Sequence, residues 1–248
     1  MNKVRFIISI LFLPWLLVLV YDFSGMFFSF AGKTNVTIVP FWIGIAVYFL
    51  FQLIFFKPMS TYVFGHELTH ALAGLLSGAK IKKFKVSANK GSVTLTKDNI
   101  FITLSPYFFP IYPIIIILIY FCLGWFMDIT KIYSWFLFFS GMALAFYYAL
   151  TFYAIKVGQE DMRIYGKFFS FVFVCFINII MVVFVLVWIF PNHIYVKDFF
   201  VNVFNDGINF YIIYENNGYF IVNVIAMNEI DARYKATKIM FSDSAYTI

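Results

Sequence analysis

The residues best suited to chemistry lie in one short apolar segment. The sequence Gly65-His66-Glu67-Leu68-Thr69-His70 contains the pattern H-E-x-x-H, and two of the chain's three histidines lie in it. Residues four apart on a helix share a face, so the His66 and His70 imidazoles can reach one metal ion. Glu67 can take a proton from a water that this metal activates. The pattern predicts a zinc (Zn2+) site with Glu67 as the catalytic general base.

A zinc ion in a catalytic site binds three protein ligands and keeps one position open. We expect the third ligand to be a carboxylate that faces the membrane. Asp161 and its neighbour Glu160 are the candidates, because both lie next to two apolar runs. The residues leave two interpretations of Asp161 equally open, a metal ligand or a loop carboxylate paired with Arg163. The remaining aspartates considered are in the opposite loop or farther away: Asp128, Asp22 and Asp98.

The composition of the chain excludes an ordinary soluble protein. Of its 248 residues, 63% are hydrophobic and 12% are charged, against roughly 45–50% and 25% in globular proteins. Such a chain has more apolar surface than its own interior can bury, so a lipid bilayer is its expected surrounding. The net charge is +6, and the surplus of basic residues lies in short loops beside apolar runs. This location favours a role of the basic residues in membrane orientation and argues against nucleic-acid binding.

Five charge-free runs are long enough, or nearly so, to cross a bilayer. They are residues 6–21, 36–56, 99–127, 132–155 and 168–196. A sixth apolar segment, 60–78, carries the motif and is predicted to be a membrane-embedded helix, where Gly74 and Gly78 let another helix approach closely. Charged groups at mid-membrane cost about 2.5–3.5 kcal/mol each, a cost that metal coordination would offset. We predict a mostly α, polytopic membrane protein with five to six membrane helices.

Two segments are predicted to be β-rich. In the loop 80–104, residues 81–86, 92–96 and 100–104 have the character of short strands, with a turn at Asn89-Lys90-Gly91. In the tail, Asn205-Asp206-Gly207 and Asn216-Asn217-Gly218 are hairpin-type turns between apolar runs. The predicted organisation is N-terminal membrane helices over 1–57, a metalloprotease core over 58–190, and an extramembrane C-terminal tail over 191–248.

The basic residues predict how the chain is oriented. Six lysines in the loop 80–104 and the basic loop 156–167 both favour the cytoplasmic side. The N-terminal run is predicted to be an uncleaved anchor. Lys3 and Arg5 favour a cytoplasmic N-terminus, which fits a cytoplasmic lysine loop only if segment 60–78 does not add a full crossing; otherwise the N-terminus lies outside. Whether segment 60–78 crosses fully is left open. His193 is predicted to lie at the opposite interface, away from the metal. We expect an integral protein of the plasma membrane with its active site toward the cytoplasm.

With these residues in view, the chain resembles the site-2 protease family of intramembrane zinc metalloproteases over about residues 55–190. The resemblance rests on the motif with its following Ala71-Leu72-Ala73, on the β-rich loop, on Ser105-Pro106-Tyr107 through Pro110, and on the acidic segment at Asp161. It implies zinc bound by His66, His70 and Asp161, with Glu67 as general base. It also implies cleavage of membrane-spanning protein substrates that the β-rich loop guides. The chain departs from the family by Thr69, where many members have glycine, and by Glu160-Asp161-Met162 in place of Leu-Asp-Gly.

The expected function is hydrolysis of peptide bonds within the bilayer. Two alternatives remain, a non-proteolytic membrane scaffold or binding protein of the same fold, and a metal-handling membrane protein. Asn178 is a lone polar residue in the last apolar run, and it can hold a substrate backbone or, more commonly, join two helices by a hydrogen bond. The sequence does not indicate a substrate or an oligomeric state.

Overall fold

The computed structural model describes residues 3–32, 38–55, 58–87, 90–191 and 194–217. The elements in chain order are α1 (Lys3–Ala31), α2 (Val39–Ile54), α3 (Met59–Leu76), β1 (Ile81–Val86), β2 (Gly91–Leu95), α4 (Ile100–Phe108), α5 (Ile111–Leu123), a 3₁₀ turn (Ile129–Ile132), α6 (Tyr133–Val157), α7 (Asp161–Ile164), α8 (Lys167–Ile189) and α9 (Val196–Asn217). The fold is mostly helical with one small sheet, as the sequence predicts.

Three helices in the described residues are long and apolar enough to cross a membrane. They are α1, α8 and the continuous helical stretch made of the 3₁₀ turn and α6. A fourth span results if α4 and α5, which are bent by 73° at their junction, count as one. Helix α2 is apolar but has only 16 residues, fewer than the roughly 20 that a span needs. The predicted number of five to six membrane helices is therefore not confirmed.

Helices α2 and α6 cross at a pair of glycines. A Cβ atom at Gly44 would collide with the Phe138 carbonyl oxygen, and one at Gly141 would collide with the Phe41 carbonyl oxygen. The two backbones are thus in direct contact, which only glycine permits at both positions. Aromatic side chains close the space around this crossing, where Phe41 is 1% exposed.

The predicted third strand of the loop, residues 100–104, is wrong, because these residues begin helix α4. The Asn99 side chain accepts a hydrogen bond from the Ile102 backbone N–H and caps the helix. Residues 102–108 are all buried, so this short run has no solvent-facing side that would mark a helical or a strand period. Such a run carries no periodicity that separates a buried strand from a buried helix.

A break at Pro110 separates α4 from α5. Proline has no backbone N–H, so the helical ladder cannot continue through this position. The Ile111 N–H, which would bond the Tyr107 carbonyl in an unbroken helix, instead donates to the Phe109 carbonyl oxygen at 2.8 Å. The Tyr107 carbonyl oxygen accepts a hydrogen bond from the Asn178 side chain of α8. Asn178 also accepts a hydrogen bond from the Tyr147 hydroxyl of α6 at 3.1 Å. Asn178 thus makes hydrogen bonds between helices, as one of its two interpretations predicts. These bonds attach the C-terminal end of α4 to α6 and α8.

The first two predicted strands form an antiparallel hairpin, with Val86 paired to Gly91 and Phe84 to Val93. The hairpin packs on α3 through Gly74, where a Cβ atom would lie 2.7 Å from a methyl carbon of Leu95. Gly78 has a positive φ of 71° and ends α3. The prediction that Gly74 and Gly78 admit another helix is therefore wrong at Gly74, which admits a strand.

The predicted β-rich tail is wrong for the part of it that the structure describes. Residues 196–217 form helix α9, which passes through the predicted turn at Asn205-Asp206-Gly207. Phe199 and Val203 pack against Leu19 of α1 and Val183 of α8, and Gly207 allows the Trp15 ring to lie against the helix. Tertiary packing thus overrides the local turn preference of this sequence. Residues 218–248 lie outside the described residues.

Candidate metal centre

Helix α3 presents both histidines of the motif on one face. The ring centroids of His66 and His70 are 4.9 Å apart, and their side chains are 10% and 14% exposed. The helix itself is unbroken from Met59 to Leu76. Thr69, which stands where glycine is common in the resembled family, donates to the Gly65 carbonyl oxygen at 2.7 Å and so satisfies its hydroxyl within the helix.

Asp161 lies directly across from these histidines, although it is 91 residues from His70 in the chain. Its Oδ2 is 3.3 Å from His66 Nε2 and 3.6 Å from His70 Nε2. Helix α6 ends at Gly158, whose φ of 73° turns the chain back toward α3. Within the described residues, no ion pair joins Asp161 to Arg163. The structure therefore places Asp161 with the histidines, in the geometry expected of a metal ligand.

The three side chains fit a metal ion. Their ligand atoms all lie within 4.8 Å of one another. Zinc binds imidazole nitrogens and carboxylate oxygens at about 2.0–2.2 Å, so neighbouring ligand atoms of a tetrahedral site are about 3.3–3.6 Å apart. The two distances from Asp161 agree with this spacing. Two neutral imidazoles and one carboxylate are a donor set that zinc accepts, and other transition metals accept it too.

The charge of Asp161 suits a cation. Burial raises the pKa of its carboxyl group, but hydrogen bonds with the His66 and His70 imidazoles lower the pKa by more. The pKa of Asp161 therefore lies well below its usual range, and the group is a carboxylate at neutral pH. A metal ion that binds here would meet a negatively charged oxygen ligand beside two imidazole nitrogens. It would displace any protons that these three groups hold.

Contacts behind the histidines fix their orientation. His70 Nδ1 lies 2.8 Å from the Ile102 carbonyl oxygen of α4. A carbonyl oxygen only accepts, so Nδ1 carries a hydrogen. Nε2 is then the nitrogen that donates to Asp161 when the ring is protonated and that offers a lone pair to a metal when the ring is neutral. On the other histidine, Nδ1 lies 3.4 Å from the Tyr62 hydroxyl. Both imidazoles are thus held with Nε2 toward Asp161, as metal-binding histidines commonly are.

Asp161 has a partner of its own in Tyr107. The Tyr107 hydroxyl is 3.1 Å from Asp161 Oδ2 and 2.6 Å from Gln159 Oε1. Tyr107 is fully buried in α4. The sequence does not predict a role for Tyr107, Gln159 or Tyr62, because a tyrosine in an apolar run gives no local sign of what its hydroxyl contacts.

Glu67 lies between the metal group and the hairpin, where it interacts electrostatically with His70 and Asp161 and also contacts strand β2. It is 8% exposed and hydrogen-bonds the Val93 backbone. Gly91 lies against it so closely that a Cβ atom there would be 2.6 Å from Glu67 Oε1 and would overlap its Cγ. Strand β2 therefore covers Glu67 and orients its carboxyl group. The sequence predicted a turn at Gly91 and did not predict this contact.

The other carboxylates considered lie in different surroundings. Glu160 is exposed next to Asp161. Asp98 accepts a hydrogen bond from Thr103, and Asp22 is hydrogen-bonded to Asp206 of α9. Asp128 caps the 3₁₀ turn, and hydrogen bonds from Thr130 lower its pKa. His193 lies outside the described residues. In the part of the chain that the structure describes, His66, His70 and Asp161 are the group that could hold a metal ion.

Comparison of the chain with protein-family models, with curated proteins and with solved structures gives no match.

Proposed function

We propose that this protein is an intramembrane zinc metalloprotease that hydrolyses peptide bonds of membrane-spanning protein substrates. The observation that carries the proposal is the approach of Asp161 Oδ2 to His66 Nε2 and His70 Nε2, at 3.3 and 3.6 Å, across a chain separation of more than 90 residues. It joins the H-E-x-x-H helix to a third ligand of the kind that the resemblance to site-2 proteases implies. Two histidines and one carboxylate also leave one zinc position open for catalysis.

Four residues would carry out the reaction, three as zinc ligands and one as the general base. His66, His70 and Asp161 would hold the zinc, which when bound supplies Lewis-acid polarisation of the scissile carbonyl and a more acidic water. Glu67 would take the proton of the attacking water and pass it to the leaving amine. The hydrogen bond between Glu67 and the Val93 backbone supports this role, because it holds the carboxyl group in one orientation.

We further propose that the site faces the cytoplasmic side of the plasma membrane. The Arg5 guanidinium lies 4.9 Å above the Tyr165 ring, which puts the start of α1 at the same end of the bundle as α7. Lys156, Arg163 and Lys167 flank that end. The opposite end carries Trp125 and Phe126, each 84% exposed, as interfacial aromatic residues commonly are.

The decisive experiment compares the parent with Glu67→Gln, with Glu160→Gln as the matched control. Each variant is produced in the same cells, and new protein N-termini within apolar spans are quantified by proteomics. We expect the parent and Glu160→Gln to create such termini, and Glu67→Gln to lose about 10²–10⁴-fold of the activity, the usual contribution of a general base. Metal content should stay unchanged in both variants. Full activity in Glu67→Gln, or equal sets of termini with and without the parent, would refute the proposal.

A further inference from the structure

The hairpin formed by β1 and β2 carries a dense set of unpaired positive charges. Residues 80–97 contain six lysines and no acidic residue. All six lysines are exposed, namely Lys80, Lys82, Lys83, Lys85, Lys90 and Lys97. Within the described residues, none of them takes part in an ion pair. The proposed catalytic role uses none of these charges.

The register of the sheet separates the hairpin into two faces. Lys83 is paired with Thr94 and Lys85 with Ser92, and these four side chains are exposed on the outer face. Side chains alternate between the faces of a strand. The inner face therefore carries Val93 and Leu95, which are half-buried, and Phe84, whose ring lies edge-on to that of Phe64 in α3. Because the inner face packs on α3, the outer face is the one free to bind a partner.

The hairpin is attached to apolar helix ends on both sides. At the end of α3, Leu75 and Leu76 are 53% and 76% exposed, and at the start of α4, Phe101 is 37% exposed. On the hairpin itself, Ile81 and Phe84 are also exposed, by 39% and 40%. Exposed apolar side chains next to lysines suit the boundary between acyl chains and headgroups, where lysine stems lie along the apolar surface and the ammonium groups reach the polar layer.

We propose that the outer face of this hairpin binds anionic phospholipid headgroups at the membrane surface. The chemistry is complementary, because lysine ammonium groups attract lipid phosphates, and each lysine near an anionic leaflet strengthens binding by about fivefold. An acidic protein segment is the less suitable partner. The hairpin has no arginine, the residue whose planar fork recognises carboxylates in specific protein interfaces. This proposal shares only the membrane setting with the proposed function and does not depend on catalysis.

The test is a lipid titration of the full-length protein in detergent, followed by native mass spectrometry. Phosphatidylglycerol is the anionic probe, and phosphatidylcholine is the neutral one. The hairpin variant is Lys82→Gln/Lys83→Gln/Lys85→Gln, which removes the two lysines of the outer face and the exposed Lys82 at the register irregularity between Ile81 and Lys83. The matched control, Lys3→Gln/Lys131→Gln/Lys197→Gln, removes the same charge at exposed positions on other elements. A third variant replaces the three hairpin lysines by arginine and keeps their charge.

We expect the parent to prefer phosphatidylglycerol, and the hairpin variant to lose that preference by at least tenfold. The control and the arginine variant should stay within about threefold of the parent, and all variants should unfold at the same temperature. Equal binding of the two lipids by the parent, or an unchanged preference in the hairpin variant, would overturn the proposal. So would binding of a polyglutamate peptide in place of phosphatidylglycerol. Peptide hydrolysis is not measured, so this result stands or fails separately from the proposed activity.

Discussion

The Tyr107 hydroxyl lies 3.1 Å from Asp161 Oδ2, the same oxygen that both metal-site histidines face. Tyr107 belongs to α4, which also provides the Ile102 carbonyl oxygen that orients His70. One short helix thus contacts two of the three candidate ligands from behind. Because α4 ends at the Pro110 break, the geometry of the metal site depends on how firmly this broken helix is held.

Tyr107→Phe should weaken metal binding by about tenfold, since hydrogen-bond partners of metal ligands typically contribute 10–100-fold to affinity. The substitution removes the hydroxyl and leaves the buried ring in place. Zinc affinity is measured by competition with a chelating dye at fixed pH. The control is Tyr133→Phe, which removes a 3.2 Å hydrogen bond to the Ile189 carbonyl oxygen at the other end of the bundle. Equal affinities in the two variants would show that Tyr107 does not position Asp161.

Asp161→Asn should abolish stoichiometric metal binding. The amide has nearly the same shape as the carboxyl group but lacks the negative charge that zinc favours in its oxygen ligands. We expect the purified parent to retain about one zinc per chain after dialysis, and Asp161→Asn to retain less than a tenth of that, measured by plasma mass spectrometry. Glu160→Gln, at the exposed neighbouring position, should keep the metal. The reverse pattern would assign the third ligand to Glu160.

Gly91→Ala should lower turnover by at least tenfold without changing the metal content. An added methyl group overlaps Glu67 and forces the carboxyl group out of the orientation that strand β2 gives it, and misplacement of a catalytic group by about 1 Å can cost on the order of 10²-fold. The control is Gly25→Ala in α1, where an added Cβ atom meets nothing within 4 Å. Loss of zinc together with turnover would instead mean that the substitution disturbs α3 as a whole.

The sequence predicted much of the site because the spacing of the motif is a local property. A four-residue separation determines that His66 and His70 share a helix face. For Asp161, the residues allowed either a ligand or a partner of Arg163, and only the tertiary structure places it beside His66. The contacts of Tyr107 and Gly91 are likewise long-range, and no local pattern reports them.

The errors in the predicted fold have the same origin. Residues 100–104 form a short run with one polar residue, Thr103, so their periodicity could not exclude a strand. The turn signal at Asn205-Asp206-Gly207 expresses a local preference, which packing of Phe199 and Val203 on α1 and α8 overrides. The pairing of the first two strands was predicted correctly, because a turn sequence at Asn89-Lys90-Gly91 between two short strand-like runs is a local signal.

Asn178→Leu separates the two interpretations of this residue. Its side chain donates to the Tyr107 carbonyl oxygen and accepts from the Tyr147 hydroxyl, so the leucine removes both of these hydrogen bonds between helices. Hydrogen bonds between membrane helices contribute about 0.6 kcal/mol on average and up to about 1.7 kcal/mol. We therefore expect the variant to lose about 1–2 kcal/mol of unfolding free energy, measured by reversible unfolding in mixed detergent micelles.

Ser170→Ala is the control for this comparison, because it lies in the same helix and its buried hydroxyl has no hydrogen-bond partner among the described residues. Removing that hydroxyl should leave the unfolding free energy unchanged or slightly higher. If Asn178 joins α4 to α8, Asn178→Leu should also weaken zinc binding. Without the hydrogen bond to its carbonyl, Tyr107 would hold the Asp161 carboxylate less firmly in place. A variant with unchanged stability and zinc affinity but a raised KM would instead assign Asn178 to the substrate backbone.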